Sequence, residues 1–144
     1  MRFYRTLALA LAAGLGAGMA ADAAAGDPSG LWLTAGGDAK IQVSRCGPAG
    51  CGRVAWLRNP VDSATGQQVV DAQNPDPSKR LRPMIGLRLF GMTPAGPDKW
   101  TGPIYNADDG QTYSGSLTLE APDRLAIGGC VGPFCGSETW TKTK

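Results

Sequence analysis

The sequence predicts an all-β fold, a single antiparallel eight-stranded β-barrel with one long loop. After Gly30, short runs of residues alternate between apolar and polar, as strands with one buried and one solvated face do. Clusters of glycine, proline, asparagine and aspartate separate these runs, and no stretch of useful length has the helical period. Many short strands joined mostly by tight turns favour an up-and-down barrel or a strongly curled sheet.

The predicted strands begin just after Gly30 and follow one another to the end of the chain. In the second strand Ile41 and Val43 alternate with polar residues, and in the sixth Leu117 and Leu119 do so. Since successive side chains of a strand point to opposite faces, both patterns place the apolar residues inside the barrel. The predicted strands span residues 31–34, 39–45, 53–57, 84–91, 99–105, 112–120, 124–131 and 137–142.

One connection, from residue 59 to residue 82, is much longer than the others. Pro75 and Pro77 exclude a central strand there, while Asp76 before Pro77 predicts the cap of a single helical turn. A connection of this length in a compact domain is usually functional or disordered, so it is the candidate for a lid at one barrel mouth. The alternative is an ordered surface loop that closes the end of the barrel.

Residues 1–25 are typical of an export signal, and residues 26–144 form the predicted barrel domain. Arg2 and Arg5 supply the positive start, an alanine- and leucine-rich stretch follows, and small residues around Asp22 suit cleavage. The uncharged stretch is shorter than the roughly 20 apolar residues that cross a bilayer. We therefore expect a periplasmic or secreted protein with no integral membrane span after signal cleavage; a retained membrane tether is the alternative.

The charge balance argues against a nucleic-acid partner. Without residues 1–25 the chain keeps 12 basic and 11 acidic residues, which gives a net charge of about +1. Proteins that bind nucleic acid carry clustered positive charge, because contacts to phosphate groups dominate their affinity. We therefore expect no nucleic acid among the partners, and the sequence leaves the oligomeric state open.

Four cysteines occur in two similar segments, CGPAGCG at residues 46–52 and CVGPFCG at residues 130–136. Exported proteins meet oxidising conditions, which favours disulfides over the alternatives of a zinc site and a redox centre. Four cysteines allow three pairings. The strand faces place both thiols of each segment on one side of a predicted hairpin, which favours the local bridges Cys46–Cys51 and Cys130–Cys135.

The lack of histidine restricts the chemistry that the chain can perform. It excludes a Ser-His-Asp triad, a Cys-His pair and a metal site with a histidine ligand. Asp108 and Asp109 lie in a segment that resembles a calcium loop only superficially, because Leu117 stands where a glutamate ligand is required. We therefore expect no enzyme, no cofactor and no metal, with catalysis through Glu138 as the remaining enzymatic alternative.

The candidate ligand-binding residues fall into two groups, one on the barrel wall and one on the long loop. Glu138 shares a strand face with Trp140, so its carboxylate is predicted to point into the barrel and to need an arginine or a cationic ligand group as partner. The alternative is a solvated carboxylate near the open end. Inward aromatic side chains either fill a core or line a ligand site. The wall residues are Trp56, Trp100, Tyr113, Glu138 and Trp140, and the loop residues are Asn74, Asp76, Arg80 and Arg82.

Several motifs, taken together, resemble one bacterial family. In order, the chain contains GLW, CGxxxCGRVAWL, NPDPxxRxRPxxGL, WxGxIYxxxDGxTYSG and GCVxxxCGxxxW. This order resembles the secreted family of domain of unknown function 2147 and extends from Gly30 to about Lys142. The resemblance implies a lipocalin-like β-barrel, and it implies no established activity. The recurring residues of the family correspond here to Trp32, Trp56, Asn74, Asp76, Arg80, Arg82, Tyr105, Gly110, Tyr113 and Trp140.

These observations favour a small periplasmic or secreted binding protein that holds an apolar or amphiphilic small molecule in the barrel. The alternative is an interaction module of the cell envelope, with a filled barrel core, that binds a protein or polysaccharide partner through its outer face and edges. A hollow barrel favours the first function, and a filled barrel favours the second.

Overall fold

The computed structural model describes residues 26–144 and confirms the predicted all-β fold. Its strands are β1 (Gly30–Leu33), β2 (Ala39–Cys46), β3 (Ala49–Leu57), β4 (Arg88–Gly96), β5 (Lys99–Asn106), β6 (Gln111–Ala121), β7 (Arg124–Val131) and β8 (Phe134–Thr143). Each strand pairs antiparallel with its neighbour in the chain, and β8 pairs with β1, so the sheet closes into an up-and-down barrel. The predicted export signal lies outside the described residues, in which no helix is long and apolar enough to cross a membrane.

Strand β4 differs most from its predicted position at residues 84–91. It begins only at Arg88, because the chain turns at Gly86, whose φ is 93° and whose N–H donates to the Val54 carbonyl. It then continues to Gly96 although it contains Pro94, a residue that rarely occurs inside a sheet. The shift places Phe90 in the core, where its side chain is only 2% exposed.

One end of the barrel, the closed end, is filled by side chains. The turns β2–β3, β4–β5 and β6–β7 lie there, and the indole Nε1 of Trp32 donates a buried 2.8 Å hydrogen bond to the Pro28 carbonyl. The Gly26 N–H donates to the Asp98 carboxylate at 3.0 Å, so the segment before β1 is tied across this end. The largest fully buried apolar side chains of the barrel are Trp32, Met92, Leu117, Leu125 and Val43.

Both predicted disulfides are confirmed. Cys46–Cys51 joins β2 and β3 at the closed end, with 5.8 Å between its Cα atoms. Cys130–Cys135 joins β7 and β8 at the opposite end, where the two residues face each other across the strand pair with 4.1 Å between their Cα atoms. Bridged sulfur atoms offer no thiolate, so these four cysteines form neither a zinc site nor a dithiol centre.

The long loop, which in the structure spans residues 58–87 between β3 and β4, is ordered. Isolated β-bridges pair Val61 with Gln68 and Val70 with Pro83, so the loop folds back on itself twice. A single 3₁₀ turn, Pro77–Lys79, begins at the second of the two prolines, and its cap is Asp76, whose carboxylate accepts a 3.0 Å hydrogen bond from the Ser78 N–H. This confirms the predicted cap, and it matches an ordered surface loop at the end of the barrel.

Candidate ligand-binding cavity

The open end of the barrel, opposite the closed end, leads into a cavity of about 890 Å³. Ligand pockets for small molecules typically measure roughly 300–1,000 Å³. The turns β1–β2, β5–β6 and β7–β8 form the rim together with the long loop, and the wall below them is mostly apolar. Residues that form this wall include Ile41, Val54, Leu89, Ile104, Ile127 and Trp140.

The long loop contributes to the rim because it is docked on the barrel. Val69 and Met84 line the cavity, and the Met84 N–H donates a 3.0 Å hydrogen bond to the Val69 carbonyl. The loop also lies very close to the β5–β6 turn: a Cβ atom at Gly110, whose φ is 73°, would stand 1.9 Å from the Gln73 carbonyl oxygen. Only glycine fits that position without moving the loop.

Asp71 anchors the docked loop. Its side chain is fully buried, and its carboxylate accepts hydrogen bonds from the Tyr105 hydroxyl at 2.6 Å, Asn74 Nδ2 at 2.8 Å and Arg82 Nη2 at 2.9 Å. A buried carboxylate is tolerated only with such partners. The predicted site did not include Asp71; the available signal was its position directly after Val70, an apolar residue in a mostly polar loop.

The anchor shifts the pKa values of both its acidic groups. Burial raises the pKa of the Asp71 carboxyl, but the hydrogen bonds from Tyr105, Arg82 and Asn74 outweigh it and hold this pKa below its usual 3.8. Burial and the hydrogen bond to Asp71 raise the pKa of Tyr105 to about 12. Asp71 therefore stabilises the docked loop above about pH 4 and loses this contribution as the pH falls through its folded pKa. Tyr105 contributes fully below about pH 10 and loses its contribution as the pH rises through its own.

We expect an alkaline titration to show Tyr105 ionising at about pH 12. Phenolate absorbance measures this directly, and Tyr105→Phe should remove the high-pH step. Tyr113→Phe serves as the matched control, because it removes a tyrosine that does not contact Asp71 and should leave that step in place. Ionisation of Tyr105 near pH 10, the ordinary range for tyrosine, would show that the anchor does not form in solution.

Three of the predicted wall residues, Tyr113, Glu138 and Trp140, line the cavity. Trp140 is 4% exposed, and its indole Nε1 donates a hydrogen bond to the carboxylate of Glu138, which is exposed at the cavity mouth. The Tyr113 hydroxyl donates to Asp109, and this bond raises the pKa of Tyr113 and lowers the pKa of Asp109. The structure thus brings one carboxylate and two aromatic rings to the same cavity.

The other two predicted wall residues lie elsewhere. Trp100 points inward, but it packs in the closed-end core opposite Leu117 and borders a separate recess of about 230 Å³. The prediction that Trp56 faces inward is wrong. A β-bulge pairs Trp56 with Lys40 while Val54 pairs with Ile41, so the ring turns to the outer face, where it is 40% exposed. There the Lys40 ammonium lies 5.2 Å from its ring centroid.

The four predicted loop residues hold the loop together, and none of them lines the cavity. Asn74 and Arg82 donate to Asp71, as described above. Arg80 Nε donates a 2.8 Å hydrogen bond to the Asn74 carbonyl, and the Asn74 side-chain oxygen accepts from the Asp76 N–H at 2.9 Å. A direct contact between these residues and a ligand remains a prediction.

Comparison with known proteins agrees with this architecture. A family profile described as "uncharacterized protein conserved in bacteria (DUF2147)" matches residues 30–142. Among solved structures, the fold is similar to that of Helicobacter pylori protein HP1028, which is described as belonging to the lipocalin family. The TM-score is 0.68 at 18% sequence identity, over 82% of this chain and 84% of that one. Comparison with curated proteins gave no match. The resemblance seen in the motifs is therefore confirmed, and the chain belongs to the DUF2147 family, with a lipocalin-like barrel.

Proposed function

We propose that the protein binds an apolar or amphiphilic small molecule in the cavity at the open end. One observation carries this proposal: a cavity of about 890 Å³ with a mostly apolar wall. Covering apolar surface contributes roughly 25 cal/mol per Å² removed from water, so an apolar molecule gains free energy by entering. The likeness to HP1028 concerns the fold alone, so the ligand class rests on the cavity itself.

The closed and open ends of the barrel differ in how well side chains fill them, and this difference helps to choose between the alternative functions. The alternative function is an interaction module with a filled barrel core, whereas here only the closed end is filled. The open, mostly apolar cavity therefore supports the binding of a small molecule over the interaction module. The two disulfides support a periplasmic or secreted location, since such bridges persist in oxidising compartments.

We expect Gly136→Phe to weaken binding of a neutral apolar probe such as N-phenylnaphthylamine at least about tenfold, which corresponds to about 1.4 kcal/mol. Gly136 pairs with Gly129 and lines the cavity, and a Cβ atom there meets no other atom within 4 Å. A side chain at this position therefore starts in open space, and a phenylalanine ring there is expected to occupy part of the cavity. Fluorescence titration of the probe measures its affinity, and thermal unfolding verifies that the variant folds.

Gly50→Phe is the matched control. It introduces the same side chain at the closed end, where the nearest atom to the new Cβ, the Met92 carbonyl oxygen, lies 4.0 Å away. The probe should bind this variant as it binds the wild type. A folded Gly136→Phe variant with wild-type affinity would place the probe outside the cavity, and a wild type that binds neither this probe nor other hydrophobes would contradict the proposed function.

A further inference from the structure

The charged side chains that line the cavity are all acidic. Among residues 26–144, Asp38, Asp108 and Glu138 belong to the lining, and no lysine or arginine does. Asp38 is neutralised on the exposed rim by Arg58, whose Nη1 lies 3.6 Å from a carboxylate oxygen of Asp38. Asp108, on the β5–β6 turn, and Glu138, on β8, take part in none of the ion pairs among residues 26–144. Of these two, Glu138 is the carboxylate on a strand of the cavity wall, and it has no cationic partner in a domain that is almost neutral overall.

Strand β8 holds this carboxylate in place. Glu138 pairs with the buried Ile127 of β7 and precedes the buried Trp140 by two residues, so both face the barrel interior. The hydrogen bond from Trp140 Nε1 restrains the Glu138 side chain before any ligand arrives. The aromatic rings of Trp140 and Tyr113 line the same cavity. Aromatic rings beside a carboxylate are a favourable environment for an ammonium group.

Four side-chain donors of the cavity wall are already used within the protein, whereas Asn59, Asn106 and Ser137 also line the cavity and can donate to a ligand. An anionic head group needs donors or cations around it, whereas an ammonium group brings its own positive charge and needs acceptors. Among residues 26–144 the lining offers an anion only neutral donors and no cation, so it suits a carboxylate or sulfate group less well than an ammonium group. The donors and their acceptors are Tyr105 with Asp71, Tyr113 with Asp109, Trp140 with Glu138, and Thr34 with the Ala39 carbonyl.

We propose that the cavity selects cationic amphiphiles, whose apolar part occupies the barrel and whose amine or quaternary ammonium group pairs with Glu138 at the mouth. This inference rests on the proposed function and adds the charge of the ligand to it. Glu138 is the specificity-determining residue, because it is the lining carboxylate that combines a fixed position on the barrel wall with the lack of an ion-pair partner.

The test compares three probes that share a dodecyl chain and differ in the charge of the head group: dodecyltrimethylammonium, dodecyl maltoside and dodecanoate. Each is titrated into the domain by calorimetry, below the concentration at which it forms micelles. We expect the cation to bind at least about tenfold more tightly than the anion, which corresponds to about 1.4 kcal/mol. The preference should weaken as salt is added, because the charge lies at the solvent-exposed mouth.

Glu138→Gln tests the residue itself. Glutamine keeps the size of the side chain and can still accept the hydrogen bond from Trp140, so the fold should be unchanged. The variant should lose most of the preference for the cation and keep its affinity for the maltoside. Glu120→Gln is the matched control: it removes the same charge near the closed end, where Glu120 lies 3.7 Å from Arg124, and should retain the preference.

The outcomes distinguish a failure of the proposed charge preference from a failure of the proposed binding function. Equal affinities for the three probes, or tighter binding of dodecanoate, would overturn the inference and leave the binding function standing. A cation preference that survives in Glu138→Gln would also overturn it, since the preference would then arise elsewhere. If neither these probes nor N-phenylnaphthylamine bind, the proposed function fails as well.

Discussion

Asp71→Ala is expected to release the long loop from the barrel. The substitution removes the acceptor of three hydrogen bonds. It leaves the Tyr105 hydroxyl without an acceptor, and Asn74 Nδ2 keeps only its 3.4 Å hydrogen bond to the Tyr105 hydroxyl. Removing one partner of a buried ion pair costs about 3–5 kcal/mol. Because the Arg82 side chain is 43% exposed and can turn to water, we expect the lower end of this range. A loss of about 3 kcal/mol lowers the ratio of docked to undocked loop roughly a hundredfold.

Native-state hydrogen exchange measures this release. The Met84 N–H donates to the Val69 carbonyl within the loop, beside the bridge that the contact of Asp71 with Arg82 also closes. It should therefore lose up to roughly a hundredfold of its protection, while amides in β6 and β7 should keep theirs. Asp76→Ala is the matched control in the same loop: it removes an exposed cap and should leave the protection of the Met84 N–H close to that of the wild type. Unchanged protection of Met84 in Asp71→Ala would show that the loop is held by other contacts.

Asp71→Ala is also expected to change the cavity. Val69 and Met84 line the rim only while the loop is docked, so its release removes apolar surface from the site. Asp71, Asn74 and Arg82 lie outside the cavity lining, and of this buried polar cluster only Tyr105 belongs to it. The cluster therefore affects the shape of the binding site by holding the loop in place. This makes the long loop a structural part of the cavity, whether or not its residues touch a ligand.

The strands and disulfides could be predicted because their signals are local. Alternation over a few residues fixes which side chains face inward, and glycine and proline mark the turns between the runs. The two cysteine segments each fit a hairpin, so each pairing depended on a single turn. The predicted strand 124–131 coincides with β7, whose register is uninterrupted opposite β8.

Trp56 and Asp71 could not be placed in this way. The bulge near Lys40 changes the face of every following residue in β3, and no distinctive residue marks it. Asp71 is buried through partners from β5 and from the far end of the loop, so its environment exists only after the chain has folded. The first miss depends on an irregularity in the pairing of two neighbouring strands, and the second on contacts with residues farther along the chain; an alternating pattern encodes neither.

The closed end stabilises the barrel as a whole. Trp32→Ala is therefore expected to destabilise all of its strands together. Trp32 is fully buried, and its Nε1 holds the Pro28 carbonyl across the closed end. Truncating a buried tryptophan costs about 3–5 kcal/mol, through lost burial and the cavity left behind. For a domain of this size, the midpoint of thermal unfolding should fall by roughly 10–20 °C.

Trp56→Ala is the control for Trp32→Ala, because it removes the same side chain from the outer face. Its loss should cost about 1 kcal/mol or less, mainly the contact with the Lys40 ammonium. Unlike Asp71→Ala, the Trp32 variant should lower the protection of amides in all strands together, because the closed-end core joins β1 to β4, β6 and β7. A Trp32→Ala variant as stable as the wild type, or a Trp56→Ala variant as unstable as Trp32→Ala is expected to be, would contradict the assignment of the two rings to opposite faces of the barrel.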